Sequence, residues 1–432
     1  MVIPLSTLSD HTLFDVECSI LAILAGSAAL VWLLRRLRER RPDLSIAKPI
    51  AIAFGLRVLA VLAIGQLPIA RTLRGGDELG FLAHGEYASH FPITSRASTD
   101  LLTSQLHSFV ISLNDRLLGS APDVMLRTEM ITFSVAGIVL LSAAVYELAG
   151  PRPAVIAAWV LALEPTNIFF SSLIHKEPLM YLAEGLVAFG GAVVWKRGNL
   201  YGLVPSIIGC LIALATRPYV GWFLAAAAAL VFLHAGLTRL HGMRALAVTV
   251  GMVGVIAAFV PVFLQKSSHD ALQQVQTSQN ANASDTKANL SLERVDYSTR
   301  GKIVTNLPKR IADVITRPYL WQTQNASQQL GVIGTLAVLA ALVLLGRALL
   351  RDRLAVMKRA GPLVYPGFLM LCAYALSAGN AGTAFRYRTH IMAIALALIV
   401  VLREHARQEQ QVARTAEIPR WQNAGATPTL AQ

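Results

Sequence analysis

Long runs of Leu, Ala, Val and Ile, each closed by a short cluster of arginine, proline or glycine, occupy most of the chain. A helix that crosses a hydrocarbon core of roughly 30 Å needs about 20 apolar residues. Eleven stretches approach that length: 17–35, 48–70, 129–148, 154–172, 178–195, 201–216, 218–235, 246–264, 330–346, 362–379 and 389–402. They predict an all-α, polytopic membrane fold with eleven transmembrane helices and two long segments outside the membrane, 71–128 and 265–329.

Composition fits that pattern. Of 432 residues, 54% are hydrophobic and 15% are charged, whereas in soluble domains about a quarter are charged. The chain shows no Walker-type phosphate loop, dinucleotide glycine fingerprint or internal repeat, so a soluble nucleotide-binding unit is not expected. The formal net charge of +13 does not point to nucleic acid, because the basic residues cluster in short loops beside the apolar runs, where they set orientation. Cys18, Cys210 and Cys372 lie in or beside those runs without metal-ligand spacing.

The densest basic loop, Arg35, Arg36, Arg38, Arg40, Arg41 and Lys48, separates the first two spans. The positive-inside rule places it in the cytoplasm and the N-terminus outside. Counting onward, Arg152, then Lys196 and Arg197, then Arg239 and Arg244, then Arg347 to Arg359, fall on the same side, as does the basic tail 403–432. The expected setting is a bacterial inner membrane, with the C-terminus cytoplasmic. Function is sought on the opposite face, where the long segments lie.

Four places on that face carry chemistry. The first segment contains Gly75-Gly76-Asp77-Glu78 and, shortly after, His84, Glu86 and Tyr87. The glycines suit a tight turn, and a carboxylate there can serve as general base on a hydroxyl or hold a cation. A second turn brings His175, Lys176 and Glu177 between two apolar runs, and ionisable groups at such depth tend to be paired or functional. Arg217-Pro218 interrupts two further runs, and Arg386-Tyr387-Arg388 precedes the last span. Guanidinium groups bind phosphate bidentately, so a lipid-phosphate substrate is the natural inference. In the second long segment, 265–291 is a polar, mobile-type composition, and Arg294 to Arg317 alternate with apolar residues as in a surface-lying amphipathic helix.

The order of these features resembles the GT-C class of membrane glycosyltransferases, which includes protein O-mannosyltransferases and lipid A aminoarabinose transferases. The likeness runs over roughly 70–390: the acidic Gly76-Asp77-Glu78 loop with Tyr87 downstream, Met125-Leu126-Arg127 leading into a span, Gly150-Pro151-Arg152-Pro153, the turn Pro165 to Glu177, Arg217-Pro218 and Arg386-Tyr387-Arg388. It implies transfer of a sugar from a polyprenyl-phosphate carrier to an envelope glycan, lipid or protein on the outer face. On that basis Asp77 is the candidate base and Glu78 the second. His84, Glu86, Tyr87, His175, Lys176, Glu177, Arg217, Arg386, Tyr387 and Arg388 are the candidate substrate-binding groups. The partners implied are polyprenyl-phosphate- or polyprenyl-diphosphate-linked glycan and membrane lipid; no certain cofactor is implied, and a divalent cation stays open. A polymerase of lipid-linked repeat units of an exopolysaccharide or O-antigen is the alternative, and a lipid-linked glycan transporter a further one. The expected organisation is an extra helix and basic loop (1–47), a GT-C-like core (48–264), an outer segment (265–329), C-terminal spans (330–402) and a tail (403–432).

Overall fold

The computed structural model of the protein describes residues 13–66, 75–264, 292–317, 326–353 and 355–422, with residues 273, 276, 277, 280, 319 and 321 besides. The polar stretch 265–291 therefore falls mostly outside the described residues, as do Arg71 to Arg74. The described chain is all-helical. Helices α1 (Leu13–Arg40) and α2 (Ala47–Gln66) are followed by three shorter ones, α3 (Gly75–Ser89), α4 (Arg96–Ser104) and α5 (Leu106–Leu118). Then come α6 (Asp123–Ala149), α7 (Pro151–Leu163), α8 (Pro165–Ser171), α9 (Glu177–Arg197), α10 (Leu203–Thr216), α11 (Pro218–Thr238) and α12 (Gly242–Leu264). The C-terminal part holds α13 (Arg300–Thr316), α14 (Ala326–Asp352), α15 (Ala355–Ser377) and α16 (Ala381–Gln422).

Among the described residues eight helices, α1, α2, α6, α9, α11, α14, α15 and α16, are long and apolar enough to cross a membrane. The protein is thus an all-α, multi-pass membrane protein. Of the remaining three predicted spans, α7 and α8 reach span length only as a pair bent by 62°, the apolar stretch Leu200–Thr216 is shorter, and α12 is described with its side chains only over Gly242–Gly254.

The bend has a local cause. Pro165 carries no N–H to close the last turn of α7, and the next two N–H groups, of Thr166 and Asn167, turn instead to the Glu164 carboxylate. That leaves the Ala162 carbonyl, which accepts from Arg57 at 3.3 Å. Arg57 lies in the middle of α2, is fully buried, and donates also to Ser171 Oγ at 2.9 Å and Asn167 Oδ1 at 2.7 Å. Hydropathy passes over this charge because one arginine barely lowers the mean of an apolar window. Glu184, inside α9, is similarly enclosed and pairs with His390 of α16 at 2.9 Å.

Helix α9 is the axis of the bundle: 83% of its span is buried, against 17% for α1, which lies on the periphery. It packs against α6 at glycine-sized distances. A Cβ on Gly137 would stand 2.4 Å from the Tyr181 carbonyl oxygen, and one on Gly185 2.6 Å from that of Gly137. Without a hydrophobic driving force between helices in lipid, such backbone approach is a main source of packing energy. Gly137→Ala is therefore expected to destabilise the protein by about 1–3 kcal/mol, since backbone has to move. Gly55→Ala, where nothing lies within 4 Å of the added Cβ, serves as control in thermal unfolding of the detergent-solubilised protein.

Between residues 292 and 317, α13 packs on α15 and α16. Its Val314 is fully buried, whereas Lys302 and Lys309 are exposed and pair with Asp296 and Glu293.

Candidate functional site

Segment 71–128, read from sequence as a loop with a glycine turn, is helical wherever it is described, apart from short connections. Gly75 opens α3, so Asp77 and Glu78 stand in its first turn, where the helix dipole favours negative charge. Consecutive helical residues point about 100° apart. That separation decides what the two carboxylates do.

Two prolines build the opposite wall. Pro178 is the second residue of α9, which begins at Glu177 directly after His175-Lys176, and Pro218 starts α11 directly after Arg217. Proline is pre-organised for the first helical turn, and Pro218 also holds the preceding Arg217 extended, at φ −143° and ψ 85°. Ionisable side chains are thereby fixed at the N-terminal ends of two helices, beside the start of α16.

These ends meet. The Arg386 guanidinium lies 2.7 Å from an Asp77 carboxylate oxygen, and Arg217 donates to Glu177 at 2.6 Å. Arg217 also lies over the Tyr387 ring, 4.5 Å from its centroid. Tyr387 stacks on Tyr374 and shares a 2.8 Å hydrogen bond with the Tyr219 hydroxyl. Lys176 sits 5.5 Å from the centroid of Phe81, one turn along α3 from Asp77, and the edge of that ring meets His107 of α5 at 4.3 Å. The pair Glu177–Arg217 is enclosed, at 1% and 5% side-chain exposure, whereas Asp77 is 57% exposed and Arg386 20%. The result is a rigid buried ion pair beneath an accessible carboxylate and guanidinium. Three cations, Lys176, Arg217 and Arg386, face two carboxylates, Asp77 and Glu177, so the cluster suits an anionic ligand.

Burial, and then the neighbouring Arg217, hold the Lys176 ammonium down to about 8. Burial likewise pushes His175 down to about 4 and His107 well below its usual value. Both imidazoles are neutral at pH 7 and pack, buried, beside the site without adding charge to it. Beneath the site, Tyr374 continues to His390, stacked at 5.7 Å, and through it to Glu184. Among the described residues no three His, Cys, Asp or Glu side chains are grouped to hold a metal ion.

The site brings together Asp77, His175, Lys176, Glu177, Arg217, Arg386 and Tyr387. It does not include the other five residues singled out from sequence. Glu78 is fully buried in an ion pair with Arg127, which also donates to Asp123 at 2.9 Å and to the Ser172 carbonyl at 3.0 Å. Arg388 donates at 3.0 Å to the carbonyls of Ile315 and Arg317 and to Thr335 Oγ1, tying α16 to the end of α13 and to α14. His84 meets Gln105 at 3.2 Å on an exposed face, Glu86 is exposed, and Tyr87 lies against Phe91. Sequence reasoning in turn missed His107, Tyr219 and Tyr374. Tyr219 had a signal in its place two residues after Arg217; His107 and Tyr374 had none, since neither adjoins a charged residue or a proline in the chain. Comparison with family models, with curated proteins and with solved structures finds no match to this chain.

Proposed function

We propose that the protein is a membrane glycosyltransferase of the bacterial inner membrane, transferring a sugar from a polyprenyl-phosphate carrier to an acceptor hydroxyl on the periplasmic face. The observation that carries this reading is the Asp77–Arg386 contact at 2.7 Å, which sets an accessible carboxylate beside a guanidinium in a cluster with excess positive charge. On the positive-inside count the site end faces the periplasm, with the N-terminus outside and the C-terminus in the cytoplasm.

In this reading the carrier phosphate lies against Arg386 and Lys176, with Arg217 behind them, and draws Arg386 away from Asp77. Freed of its partner, Asp77 accepts the proton of the acceptor hydroxyl as that oxygen bonds to the anomeric carbon. The bond from that carbon to the phosphate oxygen breaks, and its electron pair stays on the phosphate. The added negative charge is met by the fixed cations, the form of catalysis in which preorganised groups contribute most. The proton then leaves from Asp77 to water. Glu177 holds Arg217 in place, so that this guanidinium need not be ordered during the reaction.

Three cations also suffice for a diphosphate, which favours a second reading as a polymerase of polyprenyl-diphosphate-linked repeat units. The test is incubation of the purified protein in nanodiscs with polyprenyl-phosphate monosaccharide or polyprenyl-diphosphate oligosaccharide. Released polyprenyl phosphate with a glycosylated acceptor supports transfer; extension of the oligosaccharide supports polymerisation. Intact donor in both arms, with lipid-linked glycan crossing the bilayer instead, overturns both in favour of a transporter.

Lys176 makes donor binding sensitive to pH. Its ammonium is charged below about 8 and loses its proton as pH rises through that value. The KM for the lipid-phosphate donor is accordingly expected to rise about tenfold between pH 7 and 9, the equivalent of one charged hydrogen bond. Lys176→Arg, which stays charged, should flatten that rise; an unchanged slope in the variant removes Lys176 from phosphate binding.

A further inference from the structure

Helix α9 carries charge at both ends. Glu177 belongs to the site described above, and Arg197, twenty residues on, is about 30 Å away at 1.5 Å per residue, the thickness of the hydrocarbon core. Around Arg197 lies a hollow of about 460 Å³ between α1, α6, α9 and the turn that leads into α10. Its charged rim comes from Arg36, Arg40 and Arg41 at the end of α1 and from Arg197. Its inner wall is apolar and includes Leu33, Leu140, Phe189 and Val193.

The rim is built, not a loose basic loop. Glu147 of α6 takes Arg41 at 2.6 Å on one carboxylate oxygen and Arg197 at 2.7 Å on the other. Arg41 is buried and its guanidinium lies 4.8 Å from the Phe189 ring centroid. Arg36 leans on Trp32 at 5.9 Å and pairs weakly with Glu39 at 3.3 Å, both partners well exposed. Arg40 is exposed and has no ion pair among the described residues. Four arginines against Glu39 and Glu147 leave two positive charges in excess. Trp32 and Tyr201, both lining the hollow, are 61% and 77% exposed. Tryptophan and tyrosine so placed sit at headgroup level.

We propose that this hollow binds one anionic phospholipid. Its phosphate lies among Arg36, Arg40 and the outer side of Arg197, and the upper part of an acyl chain runs along Phe189 and Val193 toward the bilayer. A free phosphate ion would leave that apolar wall uncovered, and orientation alone does not require arginines from two distant segments to converge on one hollow. Basic pockets between transmembrane helices hold lipid headgroups by the same combination of charge and apolar contact. The occupied site would brace peripheral α1 against α6 and α9.

The test uses the full-length protein, delipidated in detergent and titrated with phosphatidylglycerol or phosphatidylcholine, with binding read by native mass spectrometry. Phosphatidylglycerol is expected to bind more tightly by about tenfold or more, two charges acting near the surface. The variant R36Q/R40Q keeps the Arg41–Glu147–Arg197 network and should lose that preference. R152Q/R244Q, which removes two exposed arginines outside the hollow, should keep it. Retained preference in R36Q/R40Q overturns the proposal, as does an equal loss in R152Q/R244Q, which indicates diffuse attraction. Displacement of the lipid by inorganic phosphate also overturns it, since the apolar wall then contributes nothing.

Discussion

Replacing Asp77 by Asn is expected, on the proposed reading, to lower sugar transfer by about a hundredfold or more while leaving insertion and thermal stability as in the wild type. Removal of a positioned general base costs about 10²–10⁴ in rate. The stability of the variant follows from position. The side chain is 57% exposed and its partner Arg386 is itself 20% exposed, and exposed or half-exposed ion pairs contribute about 0–1 kcal/mol. The amide oxygen of Asn can still accept from Arg386, so the guanidinium stays near its place. Product formation measured beside thermal unfolding separates the two effects. A folded Asp77→Asn protein with full activity would exclude Asp77 as the base.

The neighbouring carboxylate should behave in the reverse way. Glu78→Ala is expected to cost about 3–5 kcal/mol, because it strands the buried guanidinium of Arg127 without its main counter-charge. Asp123 and the Ser172 carbonyl remain on Arg127, yet Asp123 stands at the edge, 23% exposed, whereas Glu78 and Arg127 are both at 0%. The variant should unfold at lower temperature and accumulate poorly. Whatever folds should turn over substrate at an undiminished rate per active molecule. Adding Arg127→Met to Glu78→Ala should recover part of the loss, since no buried guanidinium is then left without its counter-charge and Asp123, 23% exposed, reaches water. No recovery, or a loss confined to turnover, would contradict the structural role assigned to Glu78.

Two adjacent acids with opposite roles show where reading from sequence stops. Asp77 and Glu78 are equal as letters, in charge and nearly in size. A turn of about 100° along α3 sends one to the site and the other into the packing against α6. Arg386 and Arg388 divide in the same way: one reaches Asp77, and the other is consumed by the carbonyls of Ile315 and Arg317. Lys176 and Arg217 were more legible, because each sits at a proline-started helix between apolar runs. There an ionisable residue has few places to go except the end of the bundle.

The sequence by itself determined that the chain is an all-α protein made for a membrane, where its apolar stretches lie, and which short segments carry charge between them. Those properties are local: hydropathy is summed over neighbours, and proline acts on the residues beside it. Only the tertiary structure decided that α7 and α8 bend at Glu164–Pro165 with Arg57 satisfying the opened carbonyl. It alone decided that Asp77 and Arg386, from distant parts of the chain, meet over the Glu177–Arg217 pair. A buried charge takes its partner from whichever element lies against it, and the packing of helices, set by small residues such as Gly137 and Gly185, chooses that element.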